Sequence, residues 1–262
     1  MSEIKTIKMD NFEMDYFSFG NGDKSFVIVP GMSLKSVMLS ADAIEMAYAP
    51  FKEEYTVYCF DYAKNPRRGY SVSDMADDLA LAMCILGIEN AYLFGASLGG
   101  MVIQYLDIRH PGLVSKMVLA SSTSRLNDSG RANMERWKKY VEDGDVRSLN
   151  VDLREHIYGE EYLKQWHDAF VSIENDGTEE ELQRLGIFID ACIGLNSYGD
   201  LDKITCPVLV IGSYDDKALL GQDSIEMAEK IGCELYMYKG FGHAVYDEAP
   251  DYKERLLNFY RD

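Results

Sequence analysis

Residues 91–106 constrain this chain more than any other stretch. An apolar run, Ala91-Tyr92-Leu93-Phe94, ends in Gly95-Ala96-Ser97-Leu98-Gly99, and the helix-compatible run Met101-Val102-Ile103-Gln104-Tyr105-Leu106 follows. A strand that turns sharply into a helix needs minimal side chains two residues either side of its tip, and Gly95 and Gly99 meet that need. Such a turn lifts Ser97 out of the sheet in a strained conformation, exposed to a substrate. It also leaves the Leu98 N–H at a helix start, where free donors and the helix dipole favour developing negative charge. A nucleophile and half of an oxyanion site are therefore expected within a few residues.

The rest of the chain supplies a sheet around this turn. Short β-branched and aromatic runs end at Pro30-Gly31, at Asp61, at Ser121-Ser122-Thr123, at Gly212 and at Lys239-Gly240. They alternate with helical patterns near 73–86, 98–109, 223–231 and 250–260. Near-continuous apolar strands between helices predict an α/β fold: a mostly parallel central sheet of about eight strands, covered by helices on both faces. Residues 4–10 and 12–19 read as an antiparallel hairpin at its edge. From 124 to 201 no strand pattern occurs, and this charged, aromatic stretch reads as a helical cap inserted into a core formed by 1–123 and 202–262. Thr178-Glu179-Glu180-Glu181 has the spacing of a capping box within it.

A serine hydroxyl is a weak nucleophile and needs an oriented base. Of the four histidines, His110 sits at a helix end and His156 and His167 lie in the insertion. His243 lies in Gly240-Phe241-Gly242-His243, past the last expected strand and on the same sheet edge as Ser97. A third group should also follow a strand end. Asp215 and Asp216 both do; the spacing from Gly212 favours Asp215, with Asp216 as the alternative. The order Ser97, Asp215, His243 is the order associated with a serine on a strand-to-helix elbow. The second oxyanion donor should come from Pro30-Gly31-Met32; proline has no N–H, so the Met32 N–H is expected to join that of Leu98.

Other chemistries lack their residues. With 26 Lys plus Arg against 44 Asp plus Glu, the net charge is −18, which argues against nucleic acid or an anionic membrane as partner. No apolar stretch approaches the ~18 residues that span a bilayer. The N-terminal residues lack the apolar core of a signal peptide, so a cytoplasmic location is expected. The five scattered cysteines read as reduced thiols. Asp74, Asp77 and Asp78 read as a solvated helix face, and no metal or nucleotide cofactor is expected. A homo-oligomer is left open.

These motifs together, the elbow, Pro30-Gly31, Gly212-x-x-Asp215 and Gly240-x-Gly242-His243 with Glu248-x-Pro250 beyond, resemble the α/β-hydrolase superfamily, in particular its capped esterase- and peptidase-like serine hydrolases. The resemblance covers nearly the whole chain outside the cap. It implies water-dependent acyl transfer from a small ester, thioester or amide-like substrate by Ser97, His243 and Asp215. A carbon–carbon bond hydrolase, a lyase, or a non-catalytic binder of small ligands on the same fold are the alternatives. Two departures from these relatives stand out: Asp61-Tyr62-Ala63-Lys64-Asn65-Pro66-Arg67-Arg68-Gly69 replaces their Asp-x-Arg-Gly-x-Gly-x-Ser, and Pro30 stands where many carry histidine.

Overall fold

The apolar runs become strands because they can be buried on both faces of one sheet. The computed structural model describes residues 2–9 and 12–262. Among them, β1 (Lys5–Lys8), β2 (Glu13–Phe19), β3 (Lys24–Val29), β4 (Tyr55–Ala63), β5 (Ala91–Ala96), β6 (Val114–Ala120), β7 (Val208–Ser213) and β8 (Glu234–Tyr238) form an eight-stranded sheet. Its order is β1-β2-β4-β3-β5-β6-β7-β8. Only the β1–β2 and β2–β4 pairings are antiparallel; every later pair is parallel. The expected edge hairpin forms between β1 and β2, although Asp10, the last residue of the expected first strand, lies outside the described residues. The order reverses direction between β3 and β5, and open α/β sheets bind ligands in the crevice at the strand ends beside such a switch point.

Side-chain alternation divides the core into two layers. On β3, Val27 and Val29 join one layer, while Phe26 and Ile28 join the other. Helices α1 (Ala41–Ala47), α2 (Val72–Ile85) and α3 (Leu98–Arg109) follow β3, β4 and β5 in turn. The α2 and α3 helices cover the Val27 layer with Met75, Leu79, Met101 and Leu106. Phe26 stacks on Phe51 at 4.9 Å in the opposite layer, with Tyr260 edge-on at 5.4 Å.

Five helices separate β6 from β7: α4 (Asp128–Asp143), α5 (Val146–Ile157), α6 (Glu160–Gln165), α7 (His167–Ser172) and α8 (Glu179–Ile193). Gly144, at φ +69°, turns α4 into α5. Thr178 and Glu181 form the reciprocal cap at the start of α8. After β7 come α9 (Gly221–Ile231), α10 (Val245–Glu248) and α11 (Tyr252–Arg261). The helix expected near 250–260 is α11, and α10 went unread. The short helix α1 and the turns flanking it, within 37–51, also went unread.

Charges that look solvated in sequence are tied down. Asp77 bonds Arg109 and His110, Asp74 caps α2 through Ser71 and pairs with Arg67, and Asp78 accepts from the Tyr70 hydroxyl at 2.6 Å. The strand ending at Asp61 in sequence continues to Ala63, and its end receives α8. Arg184 donates to Asp61 Oδ1 at 2.7 Å and to the carbonyls of Tyr62 and Ala63 at 3.2 Å. Its guanidinium also stacks 4.8 Å from the Phe188 ring. Removing one partner of a buried pair strands the other charge. Arg184→Ala is therefore expected to lower unfolding free energy by about 3–5 kcal/mol, read from urea denaturation; a loss no larger than that of a surface substitution would contradict this role for the pair.

Candidate active site

The turn after β5 is held against its own strain. Ser97 has φ +53° and ψ −117°, a region L residues avoid. Its N–H donates to Ala120 O at 2.8 Å, and its carbonyl accepts the Ser122 hydroxyl at 2.8 Å and the Met101 N–H at 3.2 Å. The flanking glycines are needed for closeness. A Cβ on Gly95 would meet Gly99 O at 2.5 Å, and one on Gly99 would meet Val29 O at 2.0 Å. Backbone, not a movable side chain, occupies both places. The short polar run after β6 was the available sequence signal for Ser122, but only the β5–β6 pairing brings it under the turn.

The loop after β3 reaches the same point. A Cβ on Gly31 would lie 3.3 Å from Ser97 Cβ. Among the described residues, neither the Met32 nor the Leu98 N–H has a hydrogen-bond partner; Leu98 opens α3, where intrahelical partners do not exist. The Tyr62 hydroxyl donates to Pro30 O at 2.5 Å and so fixes the peptide ahead of Gly31. The extended end of β4 supplies this tether.

The imidazole is held by a different carboxylate from the expected one. His243 Nδ1 lies 2.7 Å from Asp216 Oδ2, and Asp216 Oδ1 accepts the N–H groups of Ala218 and Leu219 at 2.8 and 3.0 Å. Asp215 does not reach the ring. It is exposed, and its carboxylate accepts the Gly240 N–H at 2.6 Å. The chain leaves β7 in a turn in which Asp215 N–H donates to Ser213 Oγ, so residues 214–215 point outward and 216 returns inward. Spacing from Gly212 counts along an extended chain and therefore errs by one residue. Ser213 also donates to Phe241 O at 2.5 Å, so the two loops are joined at three points.

Ser97 and His243 line one small cavity, with no hydrogen bond between them. It offers about 30 Å³ of room for water centres, and its walls include Met32, Met134, Trp137, Ile157, Leu219 and Tyr246. Burial pushes the Tyr246 phenol well above its usual range, with the Asp247 charge adding to the shift. Trp137, expected to serve as core of the insertion, is both core and wall. It is almost fully buried and donates to Asp152 at 2.6 Å. The other histidines lie elsewhere: His110 on Asp77, His156 on Asp152 and His167 exposed beside Asp168. No group of three or more metal-ligating side chains occurs among the described residues.

Comparison with known proteins identifies the family and the fold. The family model described as alpha/beta hydrolase fold matches residues 24–250. The chain is 26% identical to "Putative carbamate hydrolase RutD" of Pantoea ananatis over 191 residues, covering 70% of this chain and 68% of that protein. It is 27% identical to the protein of the same name from Agrobacterium fabrum over 225 residues, covering 79% and 83%. MGS-M2, an alpha/beta hydrolase enzyme from a Medee basin deep-sea metagenome library, superposes with a TM-score of 0.88 at 18% identity, covering 98% of each chain. The enol-lactonase of Burkholderia xenovorans superposes at 0.85 and 16% identity, covering 98% of this chain and 100% of its own.

Beside the site, Asp223 is buried at the start of α9. Its Oδ1 accepts from Asn127 at 2.8 Å, while Oδ2 has no partner. Burial raises its carboxyl to about 6. A carboxyl raised on folding stabilises the protein relative to its charged form below the unfolded value. That stability is lost as pH climbs through the folded value. Asp223→Asn should therefore stabilise the protein at pH 8 by on the order of 1–2 kcal/mol after solvent screening, with the gain vanishing near pH 4. Thermal unfolding at both pH values checks this, and an equal difference at the two would contradict it.

Proposed function

The chain belongs to the alpha/beta hydrolase fold family, and we propose on that premise that it is a serine hydrolase acting on a small carbonyl substrate. The observation that carries the reading is the 2.7 Å contact between His243 Nδ1 and Asp216, with Ser97 and His243 on the walls of one cavity. Asp216 orients the imidazole and stabilises its charged form, leaving Nε2 for the reaction. Ser97 Oγ attacks the carbonyl carbon as Nε2 takes its proton. The N–H groups of Leu98 and Met32 stabilise the oxyanion. The tetrahedral intermediate collapses, the C–X bond breaks, and His243 returns the proton to the leaving group. Water, deprotonated by the same nitrogen, then releases the acid and frees Ser97. The serine–histidine hydrogen bond is expected to tighten when substrate binds, as such contacts are often loose in ligand-free sites.

The little free room and apolar walls favour a short acyl group. Esters, thioesters and amide-like carbonyls, including the carbamates in the names of the Pantoea and Agrobacterium relatives, are the substrate classes in view. A carbamate combines an ester oxygen and an amide nitrogen on one carbonyl, so the same attack serves it. The helices of the insertion act as a cap, since Met134, Trp137 and Ile157 close the cavity from that side.

A fluorophosphonate should form a stable adduct on Ser97, located by mass spectrometry, and require His243 to do so. Ser97→Ala and His243→Ala are each expected to lower turnover by about 10⁶-fold, because groups that act as a unit fail together. Asp216→Asn should cost about 10⁴-fold through the wrong imidazole tautomer. Asp215→Asn, at an exposed turn, should cost less than about tenfold. A folded protein that leaves Ser97 unlabelled, or equal losses at 215 and 216, would refute this assignment.

A further inference from the structure

The loop that carries His243 meets the cap at one carboxylate. The stretch 157–159 leaves α5 and enters α6, and it lies back to back with residues 240–244. Ala244 N–H donates to Ile157 O at 2.8 Å. A Cβ on Gly242 would come within 2.6 Å of Ile157 O and 2.7 Å of Gly159 N, so only glycine allows this approach. Glu248, at the end of α10, closes the junction. Its Oε1 accepts the N–H of Gly242 at 3.0 Å and that of Gly159 at 3.2 Å, and its Oε2 lies 3.1 Å from the latter. One side chain thus satisfies a donor on each side. Bonds from backbone N–H groups to a carboxylate are charge-assisted and stronger than neutral ones. Ile157, beside the junction, is also part of the cavity wall.

We propose that Glu248 is a positioning residue that ties the histidine loop to the cap, so that His243 stands correctly against Ser97 while the cap is seated. It acts through Gly242, the residue before His243, and touches no reacting atom. Ser213, Asp215 and Asp216 hold Phe241, Gly240 and the ring from the β7 side; the bond at Gly242 restrains the backbone next to His243 from the side of the cap. Misplacing a catalytic group by an ångström costs about 10²-fold in rate. The inference rests on the roles given above to Ser97 and His243.

Two variants break the bridge from opposite sides. Glu248→Ala removes it. Gly159→Ala crowds it, since the new Cβ would lie 2.7 Å from Glu248 Oε2, which must shift, and 3.3 Å from Gly242 N. Gly159 has φ −71° and ψ 160°, which alanine adopts freely, so that methyl acts by contact alone. Both variants, shown folded by circular dichroism, are expected to lose about tenfold to a hundredfold in kcat on a small ester with KM changed less than about threefold. Fluorophosphonate labelling at Ser97 should slow in parallel. Glu248→Gln, whose amide oxygen can keep the Gly242 bond, should recover most of kcat. Amide exchange at Gly242, slow in the wild type and faster in Glu248→Ala, reads the tether without turnover. Wild-type kcat and labelling rate in both folded variants, or unchanged exchange at Gly242, would overturn the proposal. If the wild type itself fails to label at Ser97, the serine-hydrolase reading falls first, and this inference with it.

Discussion

The strained backbone at Ser97 is the constraint on which the site depends. A non-glycine residue at φ +53° persists only where its surroundings over-determine it. Here the restraint comes from three places: Ala120 at the end of β6, Ser122 just beyond it, and the first turn of α3. The neighbouring glycines allow β3 and α3 to close on the turn until backbone meets backbone. Relaxing any of these would let the serine fall back toward the plane of the sheet and move the Leu98 N–H with it.

A second set of restraints joins loops from different strand ends. Ser213, Asp215 and Asp216 each reach the loop that carries His243, and each bonds a different residue of it. Asp215, which fails as partner of the imidazole, thus helps to hold the loop on which the imidazole sits. Tyr62 does similar work for the Pro30–Gly31 peptide, and Arg184 fastens α8 to the end of the strand that bears Tyr62. The helices between β6 and β7 and the cavity wall therefore share anchoring points.

Much of this was legible in the residues. The buried parallel strands, the turn at Ser97 and the loop with His243 leave strong local signals, because each depends on residue types at fixed short spacing. Hydrophobic runs show where strands end, and in a parallel sheet those ends share one edge, so Ser97 and His243 could be placed together before any coordinates. The capping box at Thr178 was readable for the same local reason.

What the sequence left open depends on contacts between distant segments. A turn off β7 sends Asp215 outward and Asp216 inward, and residue spacing carries no record of that reversal. Ser122 and Tyr62 look like ordinary polar residues, and Glu248 stands in a motif without a stated partner; pairing of β5 with β6, the reach of β4 to Ala63, and the docking of 157–159 on 240–244 give them their partners. By itself, the sequence determined the strand-to-helix elbow, the buried parallel strands and the placing of Ser97 and His243 at one sheet edge, since local sterics and periodic burial are written along the chain. Only the tertiary structure decided which carboxylate meets His243 and how the cap is fastened, because a hydrogen bond requires distance and direction in space that spacing along a chain does not encode.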